Sequence, residues 1–384
     1  MQYNQYKKAW NTNVVIEPDR NNLLYEFVAN NGEKYTGNGS EDYEHDVYFL
    51  GDNDKNNVLF ANKCWKIVRT TETGGVKILY NGEPIDGKCN NSGDDTTIGE
   101  EEFNTHYNSP AYVGYMYNKV YESKEGETTS DSLYGSDVTY DGTNYTLTNT
   151  STTKDSNHHY TCNNTSGTCS TVRYYYNYDH NSYYIELDGT DNIQSALNEM
   201  LSDDNVNSTN STIKTTIDNW YEENMTDYEE YLEDTVFCND RSISSLAGWN
   251  PNGGSLSDDL KFKEYNVSSD LTCSNETDKF TVSRENGNGA LTYPVGLLSS
   301  PEANLWGETA RTTDRLWWLG SPVSFYYSDD GARGRDVFYD GSLSDSMVGL
   351  DTYYGVRPAV SLAPATKYAS GDGTVNSPFI IPTE

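Results

Sequence analysis

The chain is 384 residues long, enough for one elaborated domain or two small ones, and sets 26 basic against 59 acidic residues for a net charge of -33. So acidic a surface excludes a partner recognised through its phosphates and disfavours an anionic membrane surface. Hydrophobic residues are only 35% of the chain, but 33 Tyr, 10 Phe and 7 Trp supply buriable rings, which argues for a folded protein with a very polar surface.

Residues 1–45 read as an N-terminal extension or linker, Asn-rich and punctuated by Gly, with a short apolar burst at Leu23-Leu24-Tyr25. No stretch approaches the roughly 18 apolar residues of a spanning helix, and Met1-Gln2-Tyr3-Asn4 lacks a signal-peptide pattern. Membrane attachment is expected only through an anchor outside this chain. The main domain is expected over 46–384. Its clearest β signal is Val58-Leu59-Phe60, then Cys64 to Arg69, a Gly74-Gly75 turn, and a returning strand over Val76 to Tyr80.

A shift to Thr, Ser, Asn and Tyr marks 119–205 as an inserted, polar, β-rich subdomain. Inside it Asp141-Gly142 after Val138-Thr139-Tyr140 predicts a two-residue hairpin turn, and Val172 to Leu187 reads as Tyr-rich strands. Asp191 and Gln194 resemble a capping box before one helix; Ser211 caps a second, with Ile213, Ile217, Trp220 and Tyr221 on one face. The last third returns to short strands near 290–296, 316–319 and 354–358. Strands, a helical block, then strands again predict an α+β fold with two or more helices.

Six cysteines allow 15 pairings, and the spacing suggests Cys64–Cys89, Cys162–Cys169 and Cys238–Cys273. In so acidic and polar a chain they point to disulfides and an extracytoplasmic location. Zinc is the competing reading for Cys162 and Cys169, with His158, His159 and His180, but the spacing fits no standard finger. Asp52-Asn53-Asp54 opens like a calcium loop, yet Asn57 replaces the Gly at position six and Lys63 the Glu at position twelve. No cofactor is expected, a structural calcium ion elsewhere being the one left open. There is no G-x-S-x-G, G-x-G-x-x-G or P-loop pattern, and His45 and His106 sit in polar loops, so no catalytic residue is assigned.

The most informative segment is Ser324 to Tyr354, with five Tyr, two Phe, five Ser, four Gly and six Asp. Rigid aromatic rings among small polar residues are the composition of adaptable recognition loops. The window has no Lys, Glu, Gln or Trp and one Met, the five amino acids that codons ending in C do not encode. It has no Asn, against 41 in the whole chain, as expected if the adenines of AAC codons were replaced at random.

Around this window, Trp317-Trp318-Leu319-Gly320-Ser321-Pro322 and Tyr354-Gly355-Val356-Arg357-Pro358 resemble the C-terminal end of C-type-lectin-fold domains. The likeness is to the formylglycine-generating-enzyme-like branch, which includes variable proteins of diversity-generating retroelements. Asn62 to Arg69, Ala111 to Tyr117, Phe237-Cys238-Asn239-Asp240-Arg241-Ser242 and Leu291 to Leu297 resemble gut-bacterial surface proteins of that kind. The resemblance covers roughly 45–118 and 206–380. It departs from the oxidase, which needs a late cysteine pair, because no Cys follows Cys273. The calcium motifs of sugar-binding lectins are missing from the C-terminal region.

The resemblance implies a non-enzymatic binding protein on a bacterial cell surface, its 324–354 face diversified to bind varied ligands, expected to be proteins or other surface ligands. Phe325, Tyr326, Tyr327, Phe338 and Tyr353 are the expected anchors. Asp329, Asp330, Arg333, Arg335, Asp336, Asp340, Leu343, Asp345 and Asp351 are the expected surround, whose net acidity favours basic or neutral partners. Arg357 is expected to be a structural anchor. The alternatives are a structural surface or pilus subunit, a fixed-specificity adhesin, and a hydrolase of surface glycans.

Overall fold

The computed structural model describes residues 22–37, 45–107, 110–117, 207–242, 260–326 and 331–383, together with the backbone of short strands between 121 and 187. The architecture is α+β. The N-terminal elements are α1 (Leu24–Asn31), β1 (Glu33–Lys34), β2 (Tyr48–Phe49), β3 (Asn57–Phe60), β4 (Lys63–Thr70), β5 (Val76–Tyr80) and β6 (Glu100–Glu101). Next come α2 (Thr212–Asn224), β7 (Leu232–Glu233), β8 (Leu260–Lys261) and α3 (Ser300–Trp306). The C-terminal elements are β9 (Trp317–Tyr326), β10 (Gly331–Val337), β11 (Leu343–Met347), β12 (Tyr354–Gly355), β13 (Ala359–Leu362) and β14 (Phe379–Ile380).

Two sheets carry the fold. The first has eight strands in the order β1-β2-β4-β5-β13-β7, with β3 pairing both β4 and β14. The second has six, in the order β11-β10-β9-β12-β6, with β8 on β9. The hairpin expected across Gly74-Gly75 forms, with β4 and β5 paired antiparallel. Ala61 and Asn62 join β3 to β4 with φ of 51° and 55°, a left-handed pair whose twist suits a two-residue turn.

Residues 22–37 are part of this body, not a linker. Leu24 and Val28 of α1 are fully buried in the same cluster as Trp65 and Ile78. Gly32 lets the helix end close on β2, since a Cβ there would lie 2.6 Å from the Phe49 carbonyl oxygen. On α2 the Ser211 hydroxyl accepts the Lys214 N–H, and Ile213, Ile217 and Tyr221 are buried. Trp220 packs edge-on against Trp65 at 6.3 Å and Tyr80 at 5.3 Å, seating the helix on the first sheet.

Elsewhere the sequence reading needs correction. Residues 290–296 do not form a strand; one bridge, Gly296 to Ala359, ties them to β13. In the insert, strands 171–177 and 182–187 pair as expected. Strands 138–140 and 145–147 also pair, but Tyr140 faces Tyr145, so four residues separate them instead of two. The helix expected after Asp191 and the Cys162–Cys169 pair lie outside the described residues.

A chain with so few apolar residues buries charge in fixed partnerships. Glu302 on α3 accepts from Lys77 of β5 at 2.8 Å and Arg69 of β4 at 2.9 Å, and its second oxygen accepts the Ser299 N–H at 3.0 Å. Burial alone would raise this carboxyl, but Lys77 and Arg69 hold it down at about 2. Arg69 also pairs with Glu72 at 2.9 Å, and the Lys77 ammonium lies 4.6 Å over the Phe237 ring.

The Cys-Asn-Asp-Arg segment forms a second hub. The Cys238–Cys273 and Cys64–Cys89 disulfides both form, closing separations of 35 and 25 residues. Asn239 accepts the Tyr115 N–H at 3.0 Å and donates to the Gly320 carbonyl of β9. Arg241 pairs with the fully buried Asp278. Arg357, expected as an anchor, donates to the Tyr80 carbonyl at 3.1 Å and the Asn81 amide oxygen at 2.9 Å.

Two outcomes follow. Glu302→Ala strands Lys77 and leaves Arg69 with Glu72 alone, and is expected to cost about 3–5 kcal/mol, read as a lowered urea midpoint with unchanged slope. Burial lifts the Glu233 carboxyl, which accepts from Thr71 and Thr73, to about 7, above its unfolded value of 4.5. The folded state therefore binds that proton more tightly, and its stabilising effect, complete below pH 4.5, is lost as pH rises to 7. Glu233→Gln should raise the Tm at pH 8 and leave it little changed at pH 4.5, as calorimetry would register.

Candidate binding face

The second sheet is rigid underneath. Trp317, Trp318, Phe325, Ala332, Val337 and Val348 are all fully buried. Trp318 meets Phe103 edge-on at 5.9 Å, stacks near Tyr354 at 4.8 Å, and donates its indole N–H to the Glu101 carbonyl. Trp317 pairs with Val337 of β10 on one side and Gly355 of β12 on the other. The turn at 338–342 and the segment before Gly355 therefore lie at the same end of the sheet.

That end carries exposed rings. Phe338 is 42% exposed, Tyr339 49% and Tyr353 49%, and Leu350, between Val348 and Tyr353 in the chain, is 56% exposed. The Phe338 and Tyr339 rings meet edge-on at 5.1 Å. Asp340 fixes the turn by accepting from the Ser342 N–H at 3.0 Å and hydroxyl at 2.6 Å, which holds its carboxyl below the usual range. Gly341, at φ 87°, packs so tightly that a Cβ would lie 2.1 Å from the Glu308 carbonyl oxygen. Glu102, with Asp351 and Glu101, raises the Tyr353 hydroxyl.

At the opposite end of β9 a band of cation–ring pairs crosses the sheet. The Arg333 guanidinium sits 4.6 Å over the Tyr326 ring and 3.6 Å from Asp345, and the Lys261 ammonium lies 4.4 Å over Tyr265. Burial and the neighbouring Tyr265 raise the Tyr326 hydroxyl. The outermost strand, β11, is half-exposed along its whole length, Leu343 and Asp345 included.

Three expected surface residues point inward instead. Phe325 is fully buried, because alternation along a strand sends it to the side opposite Tyr326. Arg335 is buried, donating to the Glu264, Tyr265 and Ser344 carbonyls. Asp336 is fully buried, and burial raises its carboxyl to about 6. Tyr327, Asp329 and Asp330 lie outside the described residues. Phe338, Asp340, Asp351 and Tyr353 are exposed, while Tyr326, Arg333, Leu343 and Asp345 are half-exposed.

Sequence reasoning missed Tyr339, Leu350, Lys261 and Tyr265. For Tyr339 the signal was available, since Asp340-Gly341 marks a turn where strand alternation stops and neighbouring rings both reach solvent.

Among the described residues one grouping gathers metal-binding atoms within 4.8 Å: Cys238, Asp240 and Cys273. Its two sulfurs are joined as a disulfide and offer no thiolate. Asp240 is occupied by the Ser242 N–H at 3.0 Å, the Ser274 N–H at 2.6 Å and Lys263 at 3.3 Å. The donor set suits a structural crossing, not an ion. The histidine–cysteine set at 158–180 lies outside the described residues.

The inward and outward rings are separable by mutation. Phe325→Ala should cost about 3–5 kcal/mol, whereas Phe338→Ala with Tyr339→Ala should move the Tm by less than about 3 °C in the same melting experiment. The chain matches no protein-family model, no curated protein and no solved structure.

Proposed function

We propose that this chain is a non-enzymatic binding protein, displayed outside a bacterial cell on a C-type-lectin-like scaffold, with its ligand face in residues 324–354. The observation that carries the reading is where exposed apolar surface falls. Of eight large hydrophobic residues exposed among the described ones, four (Phe338, Tyr339, Leu350 and Tyr353) lie within sixteen positions of that window. Apolar exposure concentrated beside polar residues is a feature of interaction sites. Beneath it the sheet is close-packed, so surface side chains can change at little cost in stability.

The codon signature of the window supports diversification by a retroelement. Burial then divides its positions. Variation is compatible with Tyr326, Arg333, Phe338, Tyr339, Asp345 and Tyr353, and is opposed at the interior Phe325, Arg335 and Asp336. The reachable charge on the described part is acidic, with Asp340, Asp345 and Asp351 against Arg333, which favours basic or neutral protein ligands.

Sequencing the locus and its downstream region tests the reading. The expected result is a near-copy of the 3′ end beside a reverse-transcriptase gene, differing from the gene at template adenines that map to the outward positions. An invariant 3′ end without such a copy would remove diversification and leave a fixed-specificity adhesin or a surface subunit. Micromolar self-association in light scattering, abolished by Phe338→Ala with Tyr339→Ala, would select the subunit.

A further inference from the structure

Most buried cations here have an acidic partner. Arg69, Lys77, Lys214 and Arg241 each lie within 3 Å of a carboxylate oxygen. Arg357 does not. It is 1% exposed, makes no ion pair among the described residues, and satisfies Nε and Nη2 with a carbonyl and an amide oxygen. Its Nη1 is buried with no hydrogen-bond partner. Burial weakens its hold on its proton, bringing the guanidinium down to about 9.

A second cation shares the region. Lys66 of β4 pairs with Leu79 of β5, and Leu79 pairs with Ala359, two residues beyond Arg357. Its ammonium donates to the amide oxygens of Asn56 at 3.1 Å and Asn57 at 2.8 Å, again with no ion pair. Burial and the repulsion of Arg357 depress it to about 8, with Asp54 opposing from a distance. A second unsatisfied donor adjoins them. The Arg357 guanidinium lies 4.8 Å over the Trp317 ring, and the Trp317 indole N–H is also buried without an acceptor.

The region thus holds two cations whose available acceptors are neutral oxygens, and two orphaned donors whose side chains touch. Uncompensated buried charge costs several kcal/mol, and orphaned buried donors add to it. A water molecule would supply an acceptor but no charge. An anion supplies both.

We infer that Arg357, Lys66 and the Trp317 indole N–H hold a small monovalent anion of the halide type. The donor count is too low for a phosphate or sulfate dianion, and the partly exposed Lys66 gives a route from solvent. The anion would stand where β4, the segment before β13 and the first residue of β9 meet. It would fasten the first sheet to the strand that begins the binding face.

Crystals grown with sodium bromide in place of chloride provide the direct test. The expected result is an anomalous bromide peak within hydrogen-bonding distance of Arg357 Nη1. In solution, replacing gluconate by chloride up to about 200 mM at constant ionic strength should raise the Tm by about 2–4 °C along a saturating curve. Lys66→Met removes one cation while keeping the stem, and should flatten that curve without lowering the Tm in gluconate. No peak at Arg357, or a chloride effect that Lys66→Met leaves intact, would overturn the assignment.

Discussion

Glu302 is a buried carboxylate, and it must satisfy three demands at once. It closes the first turn of α3 through the Ser299 N–H, and it neutralises Arg69 and Lys77, which arrive from neighbouring strands. None of these is negotiable in a low-dielectric interior, where one missing partner leaves a charge exposed to apolar surroundings. The helix therefore has one position over the sheet and the two strands one register beneath it. Glu72 and Phe237 then take places set by Arg69 and Lys77.

The second hub transmits that order to the face. Asn239 joins the 111–117 segment to the Gly320 carbonyl of β9, while Arg241 and Asp278 form an ion pair held next to a disulfide. A polar chain thus obtains by directional bonds what a greasier one would obtain by bulk. Directional bonds fix the geometry of the backbone more tightly.

What was legible in the sequence follows from the range of the interaction responsible. The β3–β4–β5 meander, the amphipathic α2 and the two described cysteine pairs rest on local pattern, and all are present. Glu302 was overlooked although Ser299-Ser300-Pro301-Glu302 is a capping box, because its larger role depends on Arg69, 233 positions away. Residues 290–296 imitate a strand by alternation, but Pro294 removes a ladder donor and only Gly296 forms a β-bridge. In the 324–354 window, composition does not say which side chains look outward. Phe325 and Tyr326 are strand neighbours and cannot both face solvent, an argument that needed strand boundaries as well as residue types.

Arg335 holds the outer strand of this face by its main chain. Its guanidinium grips carbonyl oxygens of Glu264, Tyr265 and Ser344, so its hydrogen bonds recognise main chain and do not depend on the side chain at position 344. A clamp that reads only backbone keeps the same grip through any substitution at position 344 that preserves the strand. The outer strand would then behave like a socket strip, wired once behind the panel, into which different fittings can be set without rewiring.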